Sequence, residues 1–135
     1  KFTDMQVYRD ATGVIVVYDI TSRSTFDTLK SWLLEVEAHT FRDTESAPVI
    51  LLVGNKRDRP AEFHAVTEKE AEEFAGENGV AYMETSALAA SGVDAAFSYL
   101  AAAMCSKEAE RYTGPPPAHV DLANGLWRHS TCCNT

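Results

Sequence analysis

The hydrophobic pattern of the chain is dominated by two continuous runs of apolar, largely β-branched residues. The first is Gly13-Val-Ile-Val-Val-Tyr-Asp-Ile20 and the second is Val49-Ile-Leu-Leu-Val53. Runs of this kind are typical of strands that are buried on both faces of a parallel sheet. A shorter strand is predicted at Ala81-Tyr-Met-Glu84. Both long runs are far too short to span a bilayer.

Apolar residues at helical spacing predict three helices between and after these strands. The first is capped by Ser24-Thr-Phe-Asp27, and its apolar face consists of Phe26, Leu29, Leu33 and Val36. The second opens with the capping box Thr67-Glu-Lys-Glu70, ends between Gly76 and Gly79, and buries Ala71, Phe74 and Ala75. The third starts at Ser91, and its apolar face consists of Val93, Phe97, Leu100 and Met104.

The alternation of strands and helices predicts the fold class. Strand, helix, strand, helix, strand, helix is typical of right-handed βαβ units, and therefore of an α/β layered sandwich with a mostly parallel sheet. We assign residues 1–106 to this domain. From Ser106 onward the periodicity is lost, so we expect residues 107–135, which include Thr113-Gly-Pro-Pro-Pro117, to form a disordered tail.

The composition fits a globular domain and narrows the set of partners. Hydrophobic residues make up 45% of the chain and charged residues 24%, as in ordinary soluble domains. The net charge is −8, and seventeen of the twenty Asp and Glu residues lie in residues 1–106. Such an acidic domain argues against a nucleic-acid backbone as partner. The three cysteines, Cys105, Cys132 and Cys133, form no disulfide framework, and a reducing cytosol is the natural compartment.

Two polar segments follow the second and third predicted strands, where ligands bind in open α/β sheets. They are Gly54-Asn-Lys-Arg-Asp58 and Glu84-Thr-Ser-Ala87. The carboxylate of Asp58 only accepts hydrogen bonds, so it could take the ring N–H and the exocyclic amine of guanine together, which adenine does not offer. Taken alone, the Asn-Lys-x-Asp pattern indicates an ordinary polar turn. The second segment, placed in order at the next strand end, favours a guanine site.

Together, the two segments resemble the guanine-reading loops of small GTPases. Tyr8-Arg-Asp-Ala11, the strand Gly13–Thr21 and the helix at Phe26–Leu33 resemble parts of the Rab branch. The resemblance covers residues 1 to 106 and implies the C-terminal portion of a G domain, with a three-layer α/β/α, P-loop NTPase-like fold whose N-terminal half is absent. The chain departs from the Rab pattern at Leu88, where these proteins usually carry Lys, and in its short spacing between Phe2 and Tyr8.

The resemblance also implies a role for each residue of the site. Asn55 steadies its loop and faces the base, the stem of Lys56 lies along the purine plane, and Asp58 reads the base. The backbone of Ser86 and Ala87 supplies an N–H to the base carbonyl. The implied cofactors are GTP or GDP together with Mg²⁺.

Several parts that GTP hydrolysis requires are not found in the sequence. The family's phosphate-binding Gly-x-x-x-x-Gly-Lys-Ser/Thr loop, its Mg²⁺ ligands and its catalytic Gln would precede Lys1. We therefore assign no catalytic residue and leave open whether the chain is an enzyme; alone, it is predicted to bind GTP poorly and not to hydrolyse it. We also expect the printed chain to be part of a longer protein, and its first strand to present an unpaired apolar edge. No metal site is predicted, because the four histidines lack the spacing of metal ligands.

Cys132-Cys-Asn-Thr135 ends the printed sequence. A terminal Cys-Cys-x-x in the Rab setting resembles a double geranylgeranylation site on Cys132 and Cys133. Two lipids would be needed for stable membrane anchoring, because one lipid chain binds a membrane only marginally and this tail has no basic cluster that could supply a second attachment. The resemblance thus implies a protein of the cytosolic face of intracellular membranes, with a cytosolic pool, that acts in vesicle traffic with Rab regulators and effectors. The simpler interpretation is a pair of exposed thiols.

Two other interpretations of the whole chain remain. A non-enzymatic, membrane-tethered interaction module would use the acidic domain as a docking surface and would bind no nucleotide. A flavodoxin-like or response-regulator domain shares the βαβ pattern but accounts for neither guanine loop. The interpretation that accounts for most residues is a Rab-like guanine-nucleotide switch without its phosphate-binding part.

Overall fold

The computed structural model describes residues 11–40 and 47–111. Within these ranges the elements follow the predicted order. The strands are β1 (Gly13–Asp19), β2 (Val49–Asn55) and β3 (Ala81–Glu84), and the helices are α1 (Arg23–Asp27), α2 (Leu29–Thr40), α3 (Glu68–Glu77) and α4 (Val93–Arg111). A 3-10 turn, Ala61–Phe63, lies between β2 and α3. The predictions made on residues 1–10, 41–46 and 112–135, including lipidation of Cys132 and Cys133, lie outside the described residues.

The three strands form one parallel sheet in the order β1-β2-β3. The central strand β2 is buried on both faces, because Leu52 belongs to the core on one side of the sheet and Leu51 and Val53 belong to the core on the other. This confirms the strand predicted from the apolar run, since a strand with helices on both sides has no polar face.

Helices cover both faces of the sheet, which confirms the predicted α/β/α class. Helices α1, α2 and α3 pack on one face, in a core that includes Tyr18, Phe26 and Leu33. Helix α4 packs on the other face, where Leu100 joins Leu51 in a second core. Alternate residues of each strand supply the two cores, because successive side chains of a strand point to opposite faces.

The predicted first helix is divided into two at Thr28. Helix α1 begins at Arg23, directly after Ser22, so the prediction that Ser24 caps it is wrong. The hydroxyls of Ser22 and Ser24 bond each other instead, at 3.1 Å. Thr28 donates its hydroxyl to the Thr25 carbonyl at 2.9 Å, and such local bonds compete with the helical ladder. The apolar face is confirmed, because its four predicted residues are all buried: Phe26, Leu29, Leu33 and Val36.

The capping residue predicted for the second helix is present in α3. The hydroxyl of Thr67 accepts a hydrogen bond from the backbone N–H of Glu70 at 3.2 Å. The carboxylate of Glu70 turns to Arg23, whose Nη1 lies 2.6 Å from Oε1. Glu70 therefore links α3 to α1 and does not form the second half of a capping box. The predicted apolar residues are buried to different degrees, Ala71 and Ala75 fully and Phe74 in part.

Helix α4 buries only part of the predicted set of residues: Leu100 is buried, and Met104 packs partly against the same core. It begins at Val93, two residues after the predicted start at Ser91. Phe97, predicted to be buried, is 61% exposed, whereas the neighbouring Ala96 is buried against the sheet. Successive helical residues point about 100° apart. Burial of Ala96 and Leu100 therefore turns Phe97 away from the core.

The C-terminal end of α4 also differs from the prediction. The helix continues to Arg111, so the loss of regular structure predicted from Ser106 onward is wrong over residues 106–111. Near this end the ammonium group of Lys107 donates to the carbonyl of Ala47, just before β2. The domain boundary at residue 106 stays a prediction. No helix in the described ranges, α4 included, is both long and apolar enough to cross a membrane.

Strand β1 forms one edge of the sheet among the described residues, as predicted. Val17 on this strand is 57% exposed, and Trp32 of α2 is exposed as well. A groove of about 230 Å³ runs along this edge and is lined by Val14–Val17, Trp32 and Val36. An apolar edge of this kind can pair with another strand and favours aggregation when it is left open.

Substitution of two phenylalanines tests which helical faces are buried. Phe26→Ala should lower the free energy of unfolding by about 3–5 kcal/mol, because it removes a buried ring that packs on Tyr18 and Phe74. Phe97→Ala should change it by about 0.5 kcal/mol or less, since most of that ring is already in water. Urea denaturation followed by circular dichroism measures both values. Equal losses would show that Phe97 is a core residue.

Candidate functional site

The candidate site lies where β2 and β3 end, at the same edge of the sheet. The two strands are parallel neighbours, so the segments that follow them lie side by side. We call residues 54–58 the first loop and residues 84–87 the second loop. Two backbone hydrogen bonds join them: Thr85 N–H donates to the Gly54 carbonyl at 2.8 Å, and Arg57 N–H donates to the Thr85 carbonyl at 3.1 Å. The structure thus brings together the two segments that the sequence analysis selected.

The side chain of Asn55 connects the two loops. Its Oδ1 accepts the hydroxyl of Thr85 at 3.3 Å and the backbone N–H of Ala87 at 3.1 Å. Both acceptor positions of this oxygen are therefore occupied. The amide nitrogen of Asn55 has no hydrogen-bond partner within the described part of the chain, so its two donors remain available to a ligand.

The two backbone N–H groups expected to meet the base carbonyl are already bonded within the protein. Ala87 donates to Asn55 Oδ1 at 3.1 Å, and Ser86 donates to the carbonyl of Ser91 at 2.9 Å. The N–H of Ser91 donates in return to the Ser86 carbonyl at 3.0 Å, which closes residues 86–91 into a turn. A base carbonyl would therefore share the Ala87 donor with Asn55 or displace it.

The side chain of Ser86 positions Asp58. The buried Ser86 hydroxyl donates to Oδ1 of Asp58 and accepts the backbone N–H of Ala89 at 3.0 Å. Asp58 itself is exposed, so its second oxygen remains free to accept a hydrogen bond from a ligand. The sequence predicts only a backbone role for Ser86 and does not indicate this bond, because no local pattern relates residue 86 to residue 58.

Lys56 is held by Asp19, which the sequence analysis did not assign to the site. Nζ of Lys56 lies 2.6 Å from Oδ2 of Asp19. The other oxygen of Asp19 accepts the N–H and the hydroxyl of Thr21, at 2.9 and 2.7 Å. The signal that could have found Asp19 is its position at the end of β1, a third strand end at the same edge of the sheet.

The backbone of Lys56 is left-handed, with φ of 75°. This conformation costs a residue with a side chain roughly 1–2 kcal/mol, and residues in strained conformations are concentrated at functional sites. Ala90, outside both loops, is also left-handed, with φ of 52°, so the backbone of Lys56 is compatible with a functional role for the first loop but does not by itself assign one.

Burial and hydrogen bonding shift the pKa of Asp19 in opposite directions. Desolvation, the largest single effect, raises the pKa of the Asp19 carboxyl group. Hydrogen bonds from Lys56 and Thr21, together with the charge of Lys56, outweigh it and hold that pKa below its ordinary value. The carboxylate form is therefore favoured, and the ion pair with Lys56 persists at neutral pH.

Mg²⁺, which the Rab resemblance implies, finds no matching set of donors in this part of the chain. The ion takes oxygen ligands in octahedral geometry, commonly carboxylates and phosphates. Residues 11–40 and 47–111 contain no cluster of three or more Asp, Glu, His or Cys side chains that could hold a metal. We assign no Mg²⁺ ligand here.

Comparison with known proteins identifies the family of the chain. The model of the Ras family matches residues 1–106. GTP-binding protein ypt3 of Schizosaccharomyces pombe is 47% identical over 90 residues, which are 67% of this chain and 40% of that protein. Ras-related protein Rab-37 of Homo sapiens is 33% identical over 127 residues, 94% of this chain and 55% of that protein. Ras-related protein RABA4a of Arabidopsis thaliana is 44% identical over 91 residues, 67% of this chain and 38% of that protein.

The parallel α/β sheet, with two loops joined at the carboxyl ends of its strands, is consistent with part of a Ras-like G domain. The chain belongs to the Ras family, as a small GTPase of the Rab branch. The family resemblance found in the sequence is thus confirmed. The chain spans about half the length, or less, of the relatives named above.

Removal of the Asp19 charge tests the ion pair with Lys56. Because the folded-state pKa of Asp19 is lowered, its carboxylate adds stability above the ordinary pKa of about 4, and this contribution is lost as the pH falls through the folded-state pKa. Between about pH 5 and pH 3 the free energy of unfolding should therefore fall more steeply in the parent than in Asp19→Asn. Urea denaturation across this range measures the slopes. Glu72→Gln, at an exposed position of α3, is the control, and equal slopes for parent and Asp19→Asn would contradict the assignment.

Proposed function

We propose that the chain supplies the guanine-recognition part of a Rab-like GTP/GDP switch. The observation that carries the proposal is the joining of the two loops by Asn55 and Ser86, which leaves Asp58 exposed beside the free amide donors of Asn55. A carboxylate acceptor and amide donors on one surface suit a flat heterocycle that carries donors on one edge and acceptors on the other.

Recognition of guanine is proposed to rest on Asp58. Guanine presents a ring N–H and an exocyclic amine side by side, whereas adenine presents an acceptor nitrogen in place of that N–H. The bond from Ser86 to Oδ1 of Asp58 orients the carboxylate before a base arrives, so less side-chain freedom is lost on binding. Sites built on such paired hydrogen bonds discriminate strongly against analogues that lack them.

The opposite edge of the base would meet Asn55 and Ala87. Guanine presents two acceptors there, N7 and O6. The free amide donors of Asn55 suit one, and the Ala87 N–H suits the other if it is shared with Asn55 Oδ1. The methylene stem of Lys56 would lie along the purine ring, since its ammonium group is fixed 2.6 Å from Asp19 and long cationic side chains cover flat apolar surfaces with their stems.

The phosphates and Mg²⁺ of a nucleotide are proposed to bind outside the described residues. The printed sequence contains no Gly-x-x-x-x-Gly-Lys-Ser/Thr loop, and the described ranges hold no carboxylate cluster for the metal. Phosphoryl transfer depends on the positioning and charge stabilisation of the phosphates. Residues 1–135 by themselves should therefore bind GTP weakly and should not hydrolyse it.

In the cell, we propose a nucleotide-dependent switch in vesicle traffic. Relatives of the chain carry the names GTP-binding protein and Ras-related Rab protein. Segments that are ordered by the γ-phosphate and released on hydrolysis would recruit effectors. Residues 107–135 would tether the domain to the cytosolic face of an intracellular membrane, with part of the protein remaining in the cytosol.

A second candidate function is a non-enzymatic, membrane-tethered interaction module that binds no nucleotide. The exposed apolar edge of β1, with Val17 and Trp32, favours it. A guanine nucleotide that co-purifies with the natural protein would favour the switch. A bound protein partner without nucleotide would favour the module.

Substitution of Asp58 tests the recognition of guanine. When residues 1–135 are titrated with guanosine and followed by NMR, Asp58→Ala should weaken binding by about 1.5–3 kcal/mol, roughly a ten- to hundredfold loss, because the base loses a charged acceptor. Adenosine binding should not change. Asp58→Asn replaces one acceptor by a donor and should therefore favour xanthosine, which carries a carbonyl where guanine carries its amine.

Glu62→Ala is the matched control for this titration, because it removes an exposed acid in the 3-10 turn outside both loops. Guanosine affinity in Asp58→Ala equal to that of the parent would show that the loop is wrongly assigned. Stoichiometric, Mg²⁺-dependent GTP binding by residues 1–135 would overturn the proposal that the phosphates bind elsewhere.

Lipidation of Cys132 and Cys133 is the last part of the proposal, and it rests on the sequence. Replacement of either cysteine by serine should move most of the protein from the membrane fraction to the cytosol, because a single lipid binds marginally, with an association constant on the order of 10⁴ M⁻¹ for a myristoyl chain. Cell fractionation measures the distribution, and intact mass spectrometry counts the lipids. Cys105→Ser, at an exposed free cysteine of α4, is the control. Full membrane retention of the double variant would contradict the proposal.

A further inference from the structure

A chain of four polar side chains runs beneath the first loop. The hydroxyls of Tyr18 on β1 and Tyr82 on β3 lie 3.0 Å apart. The Tyr82 hydroxyl donates to Oε1 of Glu84 at 3.0 Å. The other oxygen of Glu84 lies 3.4 Å from Nε of Arg57, the residue that precedes Asp58. The chain therefore connects the interior of the sheet to Arg57, the neighbour in sequence of the proposed guanine-reading Asp58.

The direction of the hydrogen bonds in this chain follows from proton counting. Tyr82 has one hydroxyl proton and donates it to Glu84, so Tyr18 donates to Tyr82. Tyr18 is buried, and the side chain of Glu84 is only 9% exposed. Burial, the largest cause, raises the pKa of both tyrosine hydroxyls. Both therefore remain neutral donors, and the chain keeps one direction, from Tyr18 towards Glu84.

Gly54 allows the first loop to lie directly on this chain. A Cβ at position 54 would lie 2.7 Å from the Tyr82 hydroxyl oxygen and 3.0 Å from the Tyr18 hydroxyl oxygen. The first distance is too short for a carbon atom and the second is very tight, so a side chain here would displace the Tyr82 hydroxyl, whereas glycine leaves it in place. The point where β2 passes into the first loop is therefore packed against the two hydroxyls.

Packing alone does not explain the Tyr82 hydroxyl. A phenylalanine at this position would keep a ring near Tyr18, whose centroid lies 6.5 Å away, and would remove only the oxygen. What the oxygen adds is a partly buried hydrogen bond that orients the carboxylate of Glu84. Arg57 is then attached to the end of β3 twice, through its side chain to Glu84 and through its N–H to the Thr85 carbonyl at 3.1 Å.

We propose that Tyr82 is a positioning residue for guanine recognition. Its hydroxyl orients Glu84, Glu84 holds Arg57, and Arg57 thereby sets the orientation of the neighbouring Asp58 in the first loop. This inference rests on the proposed function for its ligand, but the arrangement of the loop can be measured without a ligand. Tyr82 touches no part of a bound base. It acts through the geometry of the residues that do.

Tyr82→Phe in residues 1–135 tests this role by two readouts. The first is amide hydrogen exchange in the absence of ligand, which should become roughly tenfold faster at Arg57 and Thr85, because the Glu84 carboxylate loses the hydroxyl donor that orients it. Exchange at Leu52, buried in the middle of β2, should stay unchanged. The second readout is the ratio of guanosine to adenosine affinity, which should fall several-fold.

Two further variants separate positioning from general stability. Tyr99→Phe removes a hydroxyl from a tyrosine that is 46% exposed and should change neither readout. In an Arg57→Ala background, Tyr82→Phe should have little additional effect, because the chain is already interrupted.

The outcomes of these measurements are distinct. If the parent does not prefer guanosine, the proposed function fails, and the exchange rates still test whether Tyr82 holds the loop. If Tyr82→Phe leaves exchange at Arg57 and Thr85 at the parent rates, the positioning role is overturned. Equal acceleration at Leu52 also overturns it, because the hydroxyl would then support the fold as a whole.

Discussion

The central position of β2 is the constraint on which the rest of the structure depends. Leu51 and Leu52 are fully buried on opposite faces of the sheet, and the strand is paired on both sides. A shift of one residue would exchange its two faces, so its register is strongly fixed. This register places Asn55 opposite Asp19 on β1, and Gly54 opposite Glu84 on β3. The candidate site follows from these pairings, because its residues leave the sheet at these points.

The two cations of the first loop are each paired with a carboxylate from a different neighbouring strand. Lys56 pairs with Asp19 at the end of β1, and Arg57 pairs with Glu84 at the end of β3. Ion pairs near the surface contribute little to the stability of a fold. Here they tie the loop across the whole width of the described sheet. Because the loop is held from both sides, these contacts can maintain the left-handed backbone of Lys56.

The fold class could be predicted from the sequence because burial on a strand or a helix leaves a local periodic pattern. The two apolar runs gave β1 and β2, the shorter segment Ala81–Glu84 gave β3, and the capping residue Thr67 gave the start of α3. Phe97 was placed wrongly, since helical spacing identifies an apolar stripe but does not decide which of two adjacent residues faces the sheet. That choice depends on how α4 crosses the strands, which is a property of the packed structure.

The sequence by itself determined the two loops of the candidate site, because Asn55, Lys56 and Asp58 lie within four consecutive residues at the end of a buried strand. Only the tertiary structure decided how these residues are held. The Ser86 hydroxyl bonds Asp58 from 28 residues away, and Tyr18 meets Tyr82 across 64 residues. Partners so distant leave no periodic signal, since they meet only when parallel strands bring their carboxyl ends to one edge of the sheet.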